Sequence, residues 1–422
     1  MDEDERVVVK DYCKGIGGFD KIGVIVTVFV NSKIEKLKIL TMIWTCLFGL
    51  LLGLHTVSSY KDCQNEDFND TEPPSVYPSL SEFISLSQGK SCRIRINWNL
   101  PFILQSGALN TQVQWELIRK IDLHNNQISE VQHDPFAQSG VCLVILDLSH
   151  NVISIIKNNA FSALRYLQKL DLSYNNLAEL NNKAFASTNQ IDFINLSNNK
   201  FKTIDNLTTL KSITVLKLAN NQLKLHSGMF KNFPILLDLD LSGNKISYIP
   251  PDCFKGIIHL KNLSLGFNQL HTFEIKIFSS LPLLKFLNLS SNLLSSTELT
   301  NKNVFRQLRY INTLLLDGNT KLTDLNVTSL KNIFPKLLYL GADEIPWSCD
   351  GLTKFINDCQ SLEINIISKN VVLSTNAIHG TSCSEENTTD HNNFKKLVNE
   401  TVSKTASTQK NAQTKNVFLV IE

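Results

Sequence analysis

Between residues 111 and 345 the apolar positions repeat as a phrase and follow no single helical period. The clearest copy runs Leu236-Leu237-Asp238-Leu239-Asp240-Leu241-Ser242-Gly243-Asn244-Lys245-Ile246, which reduces to L-x-x-L-x-L-x-x-N-x-L. Alternation over its fourth to sixth residues predicts a short strand, with positions 4 and 6 on one face and position 5 on the other. Copies end on Asn126, Asn151, Asn175, Asn199, Asn221, Asn244, Asn268, Asn292 and Asn319, in steps of 25, 24, 24, 22, 23, 24, 24 and 27 residues. Amphipathic helices would need a period of about 3.6 and would not hold an asparagine at one phase. A tenth copy (Leu337, Leu340, Ala342) has Ile345 where the asparagine belongs.

No single copy can bury its own apolar face, so the strands are expected to stack in parallel around one continuous core. The asparagines should turn inward and bond backbone groups exposed by the bend, because buried polar groups require partners. A second landmark falls once per copy, mostly ten residues after the asparagine: Phe136, Phe161, Phe185, Phe230, Phe254, Phe278, Phe305 and Phe334. These predict a stacked spine on the far side from the sheet. The copy around Asn206 to Leu210 has no such phenylalanine and is the shortest, so an irregularity is expected there. Segments after Asn292 and Asn319 carry extra residues before their phenylalanine, so the connections lengthen near the end.

Length alone suggests two or three globular domains, but a solenoid grows in one dimension and overrides that prior. The net charge of +2 gives no case for nucleic acid or an acidic membrane surface. Residues 1–59 read as a leader. Their apolar core, 39–54, follows Lys33, Lys36 and Lys38 and precedes His55 to Ser59, the layout of a secretory signal cut after Ser59. The apolar run is shorter than the roughly 20 residues that span a bilayer. An uncleaved signal anchor is the rival reading, and the one that would attach the chain to a membrane. An n-region that starts nearer Lys33 is a further variant.

Residues 60–110 are expected to cap the first strand, whose edge and core end need cover. Cys63 and Cys92 frame a polar stretch with Pro73, Pro74 and Pro78 and are expected to pair as its disulfide, the alternative being a free Cys63 with Cys92 paired elsewhere. Residues 346–384 are the C-terminal cap, with Trp347 over the last repeat and Cys349 paired to Cys383. Cys253 precedes Phe254 where Ala160 and Ala184 precede theirs, so it reads as a small core thiol, and Cys142 reads as buried too. Cys359 is left as a free thiol, an alternative cap partner, or an intermolecular link that would make a homo- or hetero-dimer. Residues 385–422 form a polar, flexible tail. It is too thinly apolar for a coiled coil, and its ending at Val417 to Glu422 is no membrane helix. A gene model cut short before a membrane span is the alternative there.

Phrase, period, phenylalanine spine and cysteine caps together resemble the extracellular leucine-rich repeat proteins of animals over residues 60–384. That group includes Toll-like receptor ectodomains, connectin- and chaoptin-like adhesion proteins, small matrix proteins and secreted leucine-rich immune proteins of mosquitoes. The resemblance implies an α/β leucine-rich repeat solenoid of nine or ten repeats, curved, with a parallel sheet on the concave face and irregular or short helical convex segments. Many family caps read N-P-W-x-C-x-C. Here Ile345-Pro346-Trp347-Ser348-Cys349-Asp350-Gly351 lacks the second cysteine, and the Ile-rich stretch that follows is similar to insect members. The added cysteine pair and coiled coil of the mosquito proteins are not evident, and no Toll-type signalling domain follows the cap.

Outward positions carry the candidate chemistry. Position 5 reads Asp122, Asp147, Asp171, Asn195, Lys217, Asp240, Ser264 and Asn288, with His124, His150 and Tyr174 beside it and Phe193, Phe267, Phe286 and Tyr339 further on. His124, Asp147, His150, Asp171 and Tyr174 form the candidate ligand patch, weighed against the bland reading that aspartate is common at position 5 of such repeats. His124 and His150 raise a metal reading, but no close His/Cys/Glu constellation supports it, so no metal and no cofactor is expected. Asp238 and Asp240 suggest paired carboxylates on an open sheet with no pocket to shift a pKa, so no catalytic residues are expected. Sequons stand at Asn69, Asn195, Asn206, Asn262, Asn288, Asn326, Asn387 and Asn399. If Asn195, Asn262 and Asn288 carried sugar they would crowd the middle of the concave face. The expected function is extracellular recognition of a protein or glycan, in innate immunity or in adhesion and matrix.

Overall fold

Each copy of the phrase contributes one strand of three residues, and the segments between and beside the copies add more. In chain order these are β1 (Phe68–Asp70), β2 (Arg93–Ile96), β3 (Pro101–Leu104), β4 (Lys120–Asp122), β5 (Gln127–Val131), β6 (Ile145–Asp147), β7 (Ile155–Ile156), β8 (Lys169–Asp171), β9 (Phe193–Asn195), β10 (Val215–Lys217), β11 (Asp238–Asp240), β12 (Asn262–Ser264), β13 (Phe286–Asn288), β14 (Thr313–Leu315), β15 (Tyr339–Gly341) and β16 (Asn365–Ile367). The computed structural model describes residues 118–136, 142–186 and 188–367, with short stretches at 68–70, 93–96, 101–104, 377–378 and 381–382. The leader, Cys63, Cys92, Cys383, Asn387, Asn399, the tail 385–422 and the side chains of Asn69 and Cys349 lie outside the described residues, and both expected cap disulfides fall there with them.

The main sheet has 13 strands in the order β1-β2-β4-β6-β8-β9-β10-β11-β12-β13-β14-β15-β16, and β3, β5 and β7 form a second, three-stranded sheet. Pairing in both is parallel. The fold is thus the expected repeat solenoid, and its sheet runs further than the phrase. β2 lies in the segment expected to cap the array and pairs Arg93 with Lys120. The Ile-rich stretch at the other end forms β16 and pairs Ile366 with Leu340.

Register explains the core. Leu146, Leu170, Ile194, Leu216, Leu239, Leu263, Leu287, Leu314 and Leu340 are successive partners across the sheet, and all are fully buried. Behind them the phenylalanines are buried as expected. Phe136, Phe161 and Phe185 stack in one run, Phe230 on Phe254 in another, and Phe278 on Phe305 in a third, with Phe334 edge-on to Phe305. In the short repeat the spine position is filled by buried Leu207 and Leu210. The longer connections near the end fold into α1 (Ser296–Leu299), α2 (Lys302–Phe305) and α3 (Val327–Ile333), the last capped by Asn326.

The asparagines do what their phase requires. Asn151 Nδ2 donates to the carbonyls of Leu148 and Ser149 in its own turn and of Leu123 in the repeat before. Its Oδ1 accepts from the Ile128 amide, also in the repeat before. The cross-repeat pair of bonds recurs at Asn175, Asn199, Asn221, Asn244, Asn268, Asn292 and Asn319. To aim each asparagine inward the preceding residue turns left-handed, as at Asn125, His150, Tyr174, Asn198, Asn220, Gly243, Phe267, Ser291 and Gly318.

The tenth copy lacks the asparagine and closes differently. The Trp347 indole N–H donates to the Ala342 carbonyl at 3.3 Å, the position an asparagine amide serves elsewhere. Trp347 is buried and packs on Phe355 of α4 (Cys349–Ser361), with ring centroids 4.8 Å apart. Cys253 is a buried free thiol and so is Cys359, held inside α4. Cys142 corrects an expectation: it is only half-buried, because it sits in the turn before β6 and not on the core face. Among the described residues no helix is long and apolar enough to cross a membrane.

Candidate functional site

The open face of the sheet carries position 5 in one row, since Asp122 pairs with Asp147, Asp147 with Asp171, and Asp171 with Asn195. Most of that row has local work. Asp147 Oδ1 accepts from the Ser149 amide and hydroxyl at 3.0 and 2.7 Å. Asp171 does the same for Ser173, and Asp240 for Ser242. Such turns, in which a short acid binds the backbone two residues on, explain why aspartate suits this position. Asp238 binds Lys217 Nζ at 3.2 Å and Asn262 Nδ2 at 3.1 Å, so Asp238 and Asp240 are each engaged by neighbours on their strand face.

The five patch residues divide into two groups. His150 and Tyr174 are exposed and stack with ring centroids 4.1 Å apart and planes 13° from parallel. Both occupy the left-handed turn position, with φ of 53° each. Asn and Gly adopt that backbone cheaply, whereas bulky residues seldom do. His124 instead stands on the strand side of its turn, one residue earlier in its repeat, and its Nδ1 lies 2.5 Å from Asp122 Oδ1. Asp147 sits beside that pair.

Asp122 was read only as one rung of the ladder, and the structure gives it more weight. It is buried and 3.3 Å from Lys120 Nζ. Burial pushes its carboxyl up, but the hydrogen bond and charge of His124, the charge of Lys120 and the His124 backbone N–H outweigh burial and hold it below the usual aspartate value. Asp122, His124 and Asp147 each offer a ligand atom within 4.8 Å of the others. A close His/Cys/Glu set was not expected, and this group instead joins one histidine to two aspartates. It was missed because Asp122 and Asp147 are 25 residues apart and only strand register joins them.

Asn195, Asn262 and Asn288 lie on this face, half-exposed, with their amide nitrogens donating to Asp171, Asp238 and Ser264. Asn206 and Asn326 are exposed, away from the strands. Among the described residues Phe267 is the most exposed large apolar one, at 59%, in the same left-handed position as His150 and Tyr174. A second row missed from sequence lies just before the strands: Ile235, Leu283 and Tyr310 are exposed, with Lys336 Nζ over the Tyr310 ring at 4.3 Å.

Residues 116–177, 165–223 and 211–270 match the leucine rich repeat family. The chain is 30% identical to Tsukushi of Danio rerio over 285 residues, 66% of this chain and 69% of that protein. It is 34% identical to lumican of Coturnix japonica over 192 residues, 44% of this chain and 54% of that protein. Among solved structures it resembles the TLR13 chain of a crystal structure of a TLR13–ssRNA13 complex, with a TM-score of 0.53 and 25% identity. That match covers 62% of this chain and 41% of the other.

Proposed function

Because the chain belongs to the leucine-rich repeat proteins, we propose that it is a secreted, non-enzymatic recognition protein. It binds a protein or glycan through the open face of its early repeats and serves invertebrate innate immunity. The stacked His150–Tyr174 pair carries this reading. Two neighbouring aromatics hold a strained backbone where five sister repeats use Asn or Gly, and both side chains stay exposed. Strain of that kind concentrates at binding sites, and exposed aromatics beside satisfied polar groups make contact anchors. The acids Asp122, Asp147 and Asp171 in one row disfavour a phosphate backbone, so the RNA named in the TLR13 complex does not fit this face. The extracellular assignment draws on the likeness to Tsukushi and lumican.

The test is sedimentation of the secreted protein with insoluble peptidoglycan and with β-glucan particles, beside a His150→Asn/Tyr174→Asn double variant of equal unfolding midpoint. Wild type should come down with at least one polymer and the variant should stay in the supernatant. Equal sedimentation of both would refute the patch. A second reading, matrix or cell adhesion with a signal anchor, is favoured by the exposed apolar row Ile235, Leu283 and Tyr310. Cells that display the chain would then aggregate, and the double variant would aggregate them equally.

A further inference from the structure

We propose that Asp122, His124 and Asp147 form a binding site for one zinc-class divalent metal ion. Strand register makes the site. β4 and β6 pair with Asp122 opposite Asp147, which sets two carboxylates on one face a strand spacing apart, about 4.8 Å. Like charges directly opposite each other in a sheet are destabilising, and a cation between them reverses that sign. His124, two residues beyond Asp122 in the turn that follows β4, brings its ring to that face, and one ligand atom from each of the three lies within 4.8 Å of the others.

The imidazole separates this place from the rest of the acid ladder. Position 7 is serine in most repeats: Ser149, Ser173, Ser197, Ser242 and Ser290. There the serine hydroxyl or amide closes the turn onto position 5. In the first repeat histidine replaces it. The backbone turn is kept, with the His124 amide on Asp122 Oδ1 at 3.3 Å, while the side chain becomes a nitrogen donor. One imidazole with two carboxylates is a donor set for zinc and its neighbours in the first transition row, whereas calcium and magnesium take oxygen alone. The Ser149 amide and hydroxyl already orient Asp147, the supporting role that partners of ligating carboxylates play. Lys120, 3.3 Å from Asp122 Oδ2, is the competing cation and swings aside when the ion binds. The ion lies where the His124–Asp122 hydrogen bond now runs, and water completes its coordination. This inference stands apart from the recognition reading, since a metal titration reads these side chains alone.

The experiment uses the full secreted chain after dialysis against EDTA, titrated calorimetrically with zinc chloride and followed by visible absorption with cobalt chloride. Wild type should bind one ion. His124→Ser, the residue its sister repeats carry, should lower affinity at least tenfold, and so should Asp147→Asn. Asp240→Asn, the same turn without a histidine, should leave it unchanged. Diethyl pyrocarbonate footprinting of wild type needs no variant: zinc should protect His124 and leave His150 reactive. The proposal is overturned if wild type shows no saturable binding, if His124→Ser binds as tightly, or if zinc fails to protect His124.

Discussion

Asn151 reaches back one repeat and donates its side-chain amide to the carbonyl of Leu123 at 3.0 Å. The same side chain takes the Ile128 amide at 3.0 Å. Replacing it with alanine strands the Ile128 N–H and removes one bond each from the carbonyls of Leu123, Leu148 and Ser149, which keep the Asn126 and Asn175 side-chain amides and the Asn125 backbone N–H. A buried amide stranded in this way costs about 1–3 kcal/mol, and each further bond lost from a group that keeps another partner costs about 0.5–1.5 kcal/mol. Asn151→Ala should therefore lose about 3–5 kcal/mol. Urea denaturation gives the total, and hydrogen exchange at Ile128 locates it. A loss under about 1 kcal/mol would mean that water replaces the ladder.

Tyr174→Asn should behave in the opposite way. Removing the ring loses its stack on His150, worth about 0.5–1.5 kcal/mol. It also relieves a left-handed backbone that costs a bulky residue about 1–2 kcal/mol. The two nearly cancel, so the thermal midpoint should stay level or rise slightly while ligand binding falls. A clear drop in midpoint would assign the ring a structural role.

Cys253 and Cys359 predict an alkaline instability. Burial pushes the Cys253 thiol from 9.0 up to about 12. Burial, with the charge of Asp358, pushes Cys359 up to about 12 as well. Between those values the folded chain keeps protons that the unfolded chain releases. Stability is thus intact below about pH 9 and falls as pH rises toward 12, by about 1.4 kcal/mol per pH unit for each thiol. Cys253→Ala, which installs the residue found before Phe161 and Phe185, should remove one thiol's share of the slope in urea midpoints measured from pH 8 to 10.5. Native alkylation should mark half-buried Cys142 and spare the other two until denaturant is added.

Sugar should divide the sequons by position. Asn326 uses its Oδ1 to cap α3 by accepting the Ser329 amide and is exposed, as is Asn206. Glycosidase-catalysed ¹⁸O labelling of the secreted protein should mark these two. Asn195, Asn262 and Asn288 should remain bare, because their amide nitrogens are tied to Asp171, Asp238 and Ser264. Sugar on any of those three would close the open face to a large ligand.

Features that recur once per repeat were readable along the chain. The buried leucine rows, the asparagine ladder and the phenylalanine spine each stand at a fixed phase, so nine copies report one geometry. The left-handed turn was also written there: Asn125, Asn198, Asn220, Gly243 and Gly318 share the position of His150 and Tyr174, a signal the ladder reading passed over. What stayed hidden depends on pairs far apart in the chain. Asp122 meets Asp147 only through register, and Trp347 takes the Ala342 carbonyl that the missing asparagine of the tenth copy would hold. The extra strands β2 and β16 were hidden for another reason, since neither sits in a full copy of the phrase.

The asparagine bonds all point one way, and this gives the array a direction of dependence. Each of the first eight repeats relies on its successor's asparagine for one hydrogen bond at a carbonyl and one at an amide, and none of them uses its predecessor's in the same manner. Shortening from the front leaves an asparagine that still serves its own turn. Shortening from the back strips a carbonyl and an amide from whatever repeat is left last, unless something like Trp347 is supplied in exchange. A protein of this design grows safely by gaining repeats ahead of a fixed terminator, and its last turn is the part least free to vary.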